Sequence, residues 1–191
     1  MTRIILVPLT SYGVLEYLDA LSEAIREAFE KSGVRVELTT WSEVVKPPIK
    51  CFSWERRQYL ANCVADYLHS TIRLAGVDDD TVILGIGYLD GFEEDFNFIF
   101  GLALKNTRTA VVFTKRLKPE FYGQPPDFNL YFERLVKECV HELGHLAGLD
   151  HCITPGCVMN YSNDILGVDS KSRFFCEKCS LAIKHYMSST K

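Results

Sequence analysis

The sequence predicts an α/β (α+β) protein built on a mixed, mainly parallel twisted sheet with packed helices, and three observations predict it. The chain opens as strand, helix, strand, the order that builds parallel pairing across a crossover. Apolar residues then recur at three- and four-residue steps in later stretches, with short apolar runs between them. The composition, 47% hydrophobic and 24% charged over 191 residues, is that of a globular chain long enough to bury its own core.

Taken in order, Ile4 to Leu9 reads as a buried strand, and Val14, Leu18, Leu21, Ile25 and Phe29 form one stripe of an amphipathic helix. Gly33 ends that helix, and Val34 to Leu38 alternates as a second strand. Pro47-Pro48 marks a loop, after which Leu60, Val64, Leu68 and Ile72 define a second helix closing near Gly76. Val82 to Ile86 is a third strand. Two further apolar runs, Phe96 to Leu104 and Ala110 to Phe113, flank a hairpin-like turn at Lys105 to Arg108, and one of them is expected at the sheet edge. Behind Pro125-Pro126, Asp127 is a cap for a helix running to Gly148, whose residues Phe128, Phe132, Leu135, Cys139, Leu143 and Leu146 share an arc expected to face the core. Beyond Gly148 the chain turns rich in Gly, Pro, Asn, Ser and Asp, so no regular structure is expected before a last helix after Cys176. The chain therefore divides into an N-terminal subdomain, 1–148, and a C-terminal one, 149–191.

Several function classes fall away on composition. With 21 basic against 25 acidic residues and a net charge of -4, nucleic acid is not an expected partner. No run approaches the roughly 18 apolar residues of a membrane span. Pro8 cuts the first apolar run short, so it reads as a strand and not as a secretory signal. A cytoplasmic location follows as the expectation. There the seven cysteines serve as reduced thiols or metal ligands, and Cys51, Cys63 and Cys139 are expected to be small buried hydrophobes.

The sharpest signal is His141-Glu142-Leu143-Gly144-His145-Leu146-Ala147-Gly148-Leu149-Asp150-His151, the pattern HExxHxxGxxH. At average residue usage it would arise by chance about once in 10^5 chains of this length, so it is read as a site. His141 and His145 lie one helical turn apart on one face and can share an ion. Glu142, about 100° round the helix, reaches the edge of that face without occupying a coordination position. Gly148 can turn the chain back so that His151 supplies a third nitrogen. Three histidines leave a fourth position of a tetrahedral zinc open to water, whose pKa falls toward ~7. His69 and His185 are isolated and receive no role. Cys152 and Cys157, with the CxxC of Cys176 and Cys179, suit a closed four-thiolate zinc site. A redox pair at the CxxC stays open as an alternative.

These residues resemble the metzincin clan of zinc peptidases, and the combined pattern HExxHxxGxxHCxxxxCxM followed by CxxC is similar to the archaemetzincins. The likeness is dense over His141 to Cys179. It implies a metzincin-like fold with a small zinc-stapled C-terminal subdomain. It also implies two Zn2+ per chain: a catalytic one on His141, His145 and His151, and a structural one on Cys152, Cys157, Cys176 and Cys179. Met159 would be the floor beneath the imidazoles, Asn97 to Ala103 the edge strand, and Tyr161, two residues past Met159, a further catalytic candidate. The expected activity is peptide hydrolysis by a zinc-activated water with Glu142 as general base and acid, in a monomer whose partner is its peptide substrate. Alternatives are a zinc-stabilised binding or scaffold protein with little catalysis, and a hydrolase of non-peptide amides.

Overall fold

The computed structural model describes residues 2–189, with side chains through 186. Strand β1 (Thr2–Pro8) leads through α1 (Leu18–Lys31) to β2 (Val36–Thr40). A short excursion follows, β3 (Phe52–Ser53) and β4 (Gln58–Leu60), and then α2 (Ala61–Leu74). After β5 (Val82–Gly87) come β6 (Gly91–Phe92), β7 (Gly101–Leu104) and β8 (Thr109–Phe113). Three helices complete the chain: α3 (Phe128–Leu146), α4 (Ile165–Ser170) and α5 (Glu177–Ser189).

The main sheet has the order β2-β1-β5-β8-β7. Its β1, β2, β5 and β8 pair in parallel, and β7 alone runs antiparallel along one edge. This is the mixed, mainly parallel sheet that the sequence predicts. Alternation divides the core between its two faces. Ile4 and Leu6 of β1 join the cluster of α1 and α3, while Ile5 and Val7 join that of α2. Both faces are covered, which is why β1, β5 and β8 read as continuous apolar runs. Val158, Met159, Val168, Phe175 and Ile183 pack into the α1/α3 cluster, so the chain beyond Gly148 lies against these two helices.

Several expectations are corrected. The apolar run from Phe96 becomes strand only at Gly101, so the edge strand is shorter than Asn97 to Ala103. The residues before it are drawn off by a second sheet, β3-β4-β6, which the sequence reading missed. Gln58 Nε2 donates to Asn97 O at 3.0 Å, Arg56 Nη1 to Phe96 O at 3.0 Å, and the backbone and side-chain amides of Asn62 to the Glu93 carboxylate at 2.7 Å each. Helix α4 was not expected either, although its cap is written in the chain: Asp164 Oδ1 accepts from Gly167 N at 2.9 Å. Phe128 faces solvent, because the first turn of α3 projects past the core. Cys51 and Cys63 are joined in a disulfide, their Cα atoms 5.4 Å apart. The reversal at β3 and β4 returns the chain to the start of α2 and places the two residues side by side, so they are not the free thiols expected.

Candidate metal centres and active site

Helix α3 positions the site. Asp127 Oδ1 caps it by accepting from Leu130 N at 2.9 Å. The helix ends at Leu146, and Gly148 takes φ +84°, a conformation that costs a side-chain-bearing residue ~1–2 kcal/mol. That turn carries His151 back, and the ligand nitrogens of His141, His145 and His151 all lie within 4.8 Å of one another.

Two of the rings are oriented by backbone carbonyls. His141 Nδ1 donates to Val158 O and His145 Nδ1 to Leu149 O, each at 2.8 Å. Their Nε2 atoms then face each other at 3.1 Å with lone pairs only. Burial, helped by Lys171, holds His141 well below its usual imidazole pKa, and burial also lowers His145 and His151. Protonation therefore cannot relieve the lone-pair contact at neutral pH. A cation can: two nitrogens bound to one tetrahedral zinc at about 2.0–2.1 Å stand ~3.3 Å apart. The three histidines fit zinc, and the two carbonyls supply the outer hydrogen bonds that such ligands need.

Glu142 lies on the neighbouring face of α3, buried beneath the edge strand. A Cβ on Gly101 of β7 would stand 2.5 Å from Glu142 Oε1, so the strand passes the carboxylate only because glycine is there. Burial first and Glu138 second, opposed by Lys171, raise this carboxyl from its usual range to about 8. Met159 is fully buried under the site, and its sulfur fills the space that a side chain on Gly144 would occupy. The ring of Tyr161 lies 4.8 Å from that of His151. Asn160 Nδ2 fixes the intervening turn by donating to Cys152 O and Thr154 O at 2.7 and 2.8 Å.

The second donor set begins at the residue after His151. The sulfurs of Cys152, Cys157, Cys176 and Cys179 lie within 4.8 Å of one another, with the Cys152–Cys176 and Cys157–Cys179 pairs at 3.8 Å. These are not disulfide distances. Four thiolates about 2.3 Å from a tetrahedral zinc would be ~3.8 Å apart. The Thr154 N–H reaches Cys152 Sγ and the Cys176 N–H reaches Cys157 Sγ, both at 3.4 Å. Hydrogen bonding from Thr154 pulls the Cys152 thiol down to about 6. Among the remaining cysteines Cys139 is buried and free, its thiol pushed up by burial.

Of the site residues named from the sequence, His141, Glu142, His145, His151 and Tyr161 line one cleft, Met159 is buried against Gly144, and the four cysteines form a separate donor set. Two charged residues buried in the cleft, Glu138 and Lys171, went unread. Lys171 Nζ sits 2.8 Å from Glu138 Oε1, both side chains almost fully buried, and also contacts Asn160 O at 3.4 Å. Glu138 could have been found one helical turn before Glu142, on the same face. Lys171 gave no signal, since it arrives from beyond α4. His69, given no role, pairs its Nδ1 with Thr109 Oγ1 at 3.3 Å.

Comparison with known proteins adds an independent line. The family model described as Peptidase family M54 matches residues 14–185. The chain is 40% identical over 182 residues to an archaemetzincin of Pyrococcus abyssi, covering 94% of this chain and 93% of that protein. It is 43% identical over 137 residues to an archaemetzincin of Saccharolobus solfataricus, 72% of each chain. Among solved structures, the archaemetzincin of Methanopyrus kandleri superposes with a TM-score of 0.81 at 32% identity, covering 98% of this chain and 96% of that one. A zinc-dependent peptidase of Methanocorpusculum labreanum gives 0.83 at 28% identity, with 96% and 100% covered.

Proposed function

The chain belongs to peptidase family M54, the archaemetzincins, and is a zinc metallopeptidase; from that premise we propose that His141, His145 and His151 hold its catalytic zinc and that Glu142 is its general base and acid. The observation that carries the reading is the approach of two lone-pair-bearing Nε2 atoms to 3.1 Å in a buried setting, which a divalent cation resolves. When bound, zinc supplies Lewis acidity toward a carbonyl oxygen and makes a water more acidic.

The rest falls to the chain's own groups. The Val158 and Leu149 carbonyls hold the two imidazoles in the ligating tautomer. An extended peptide adds to the outer edge of β7, across the cleft from α3, and the edge strand supplies its backbone partners. Glu142, held against Gly101, accepts a proton from the attacking water at its carboxylate and returns it to the leaving amine. Its burial favours this exchange, because a carboxyl raised from its usual range releases a proton less readily and accepts one more readily. Tyr161, beside His151, is the hydroxyl available to the tetrahedral species. Cys152, Cys157, Cys176 and Cys179 hold a second, structural zinc.

The deciding experiment is Glu142→Ala. It removes no ligand, so elemental analysis should still find two zincs per chain, while hydrolysis of a peptide library falls at least a hundredfold. Parental turnover in that variant would refute the base, and absence of cleavage by the parental protein would refute the peptidase reading.

A further inference from the structure

Two side chains of helix α3 already dock the end of α4. Arg134 grips the Asp169 carboxylate with two nitrogens, at 2.7 and 2.6 Å, and Lys137 Nζ donates to the carbonyls of Val168 and Asp169 at 3.2 and 3.3 Å. One helical turn beyond Arg134 a third tie is of another kind. Glu138 Oε1 meets Lys171 Nζ at 2.8 Å, and their side chains are only 4% and 1% exposed. Taking two charges out of water costs about as much as their attraction returns, so a buried ion pair is often no more stable than apolar residues in its place. The end of α4 is held without this pair, and stability is a poor reason for it.

What the pair reaches is the turn that carries Tyr161. Lys171 Nζ donates to Asn160 O at 3.4 Å, while the Asn160 side chain is tied in the other direction, to Cys152 O and Thr154 O. The residue that follows these two anchors is Tyr161, its ring 4.8 Å from that of His151. Lys171 has no bond to His141 to make instead: Nδ1 of that ring stands 3.5 Å away, but it spends its proton on Val158 O and so has no lone pair to offer. A lysine is a point charge on a flexible stem, and the Glu138 carboxylate gives it one place to stand.

We propose that Lys171, held by Glu138, is a positioning residue that fixes the Asn160 carbonyl and so sets where Tyr161 stands beside His151. The proposal rests on the peptidase reading above, with Tyr161 taking part, and adds what holds that residue in place. The test replaces the pair by apolar residues, Glu138→Leu together with Lys171→Met, in zinc-loaded protein. Melting temperature and zinc content should stay near their parental values, while kcat on a peptide substrate falls at least tenfold and KM changes less than twofold. In a Tyr161→Phe background the same replacement should cost less than twofold, because a residue that acts through Tyr161 then has nothing left to position. A crystal structure of the zinc-loaded apolar variant should show the Tyr161 ring moved by at least 1 Å from its place beside His151. Should that variant not fold, Glu138→Gln, which keeps the volume and removes the charge, is carried through the same readouts. Parental kcat, an undiminished loss in the Tyr161→Phe background or an unmoved ring would each overturn the proposal, as would failure of both variants to fold. If the parental protein cleaves no peptide, the peptidase reading fails, and the ring position alone decides whether Lys171 places Tyr161.

Discussion

A single missing methyl group fixes where Glu142, the proposed base, can stand. Gly101 leaves the room that Glu142 occupies, with Oε1, Cγ and Cδ all within 2.7 Å of where a Cβ would be. Gly101→Ala should therefore push the carboxyl aside, lowering kcat at least tenfold while zinc content stays parental; a 1 Å error in a catalytic group can cost ~10^2-fold. Titration offers a second check. In the metal-free protein Glu142 is raised from 4.5 to about 8, so between those values the unfolded chain binds fewer protons than the folded one. Its contribution to stability then falls as pH rises through that window. The difference in melting temperature between chelated parental protein and Glu142→Gln should move against the parental protein from pH 5 to pH 8, and a difference independent of pH would contradict the raised carboxyl. Glu142 and the three histidines were legible because their partners are written within eleven positions, 141–151. Gly101 and Lys171 were not, since a contact made by two elements far apart in the chain leaves no local period.

Elements show the same division between local and distant causes. Helix α3 was readable from its cap and its apolar arc, and the strands β1, β5 and β8 from burial on both faces. The pieces β3, β4 and β6 have two or three residues each, too few for alternation to register, and they exist because side chains of residues 56–62 bind the rim at 93–97. The bridge between Cys51 and Cys63 was hidden for the same reason. It closes a loop with a separation of 12 residues, which in the chain-entropy picture contributes about 3 kcal/mol. Thiol titration of the denatured, metal-free chain should find five free cysteines. Cys63→Ser should lower the melting temperature by roughly 5–10 °C, and seven reactive thiols in the parental protein would deny the bridge. In the C-terminal segment, Cys176→Ser should lose one zinc and the fold around Met159. Retention of two zincs by that variant would contradict the four-thiolate site.

At the scale of the whole molecule, a mixed, mainly parallel sheet with packed helices and an apolar run at its edge was foreseen, and the family comparisons agree with the fold. The cleft's floor and rim were not, because they form where the β6–β7 connection, α3 and the chain after α4 converge. The cleft, about 660 Å3 in volume, lies between Gly101 to Ala103 of β7 and His141, Glu142 and His145 of α3, and on the reading proposed above it takes an extended segment. Short unstructured peptides should be cleaved at least a hundredfold faster than a folded protein carrying the same sequence, measured by mass spectrometry. Equal rates would mean that the rim opens far wider than this. A last consequence comes from neighbours in the chain. Cys152 follows His151 directly, and Cys157 precedes Val158, whose carbonyl steers His141. On the proposed assignment of two zincs, the sulfur set would act as a template for the nitrogen trio, and metallation should be ordered. In a cobalt titration of apoprotein, sulfur charge-transfer bands should saturate before the weaker bands of the histidine site rise, and a chelator should strip the two ions in the reverse sequence.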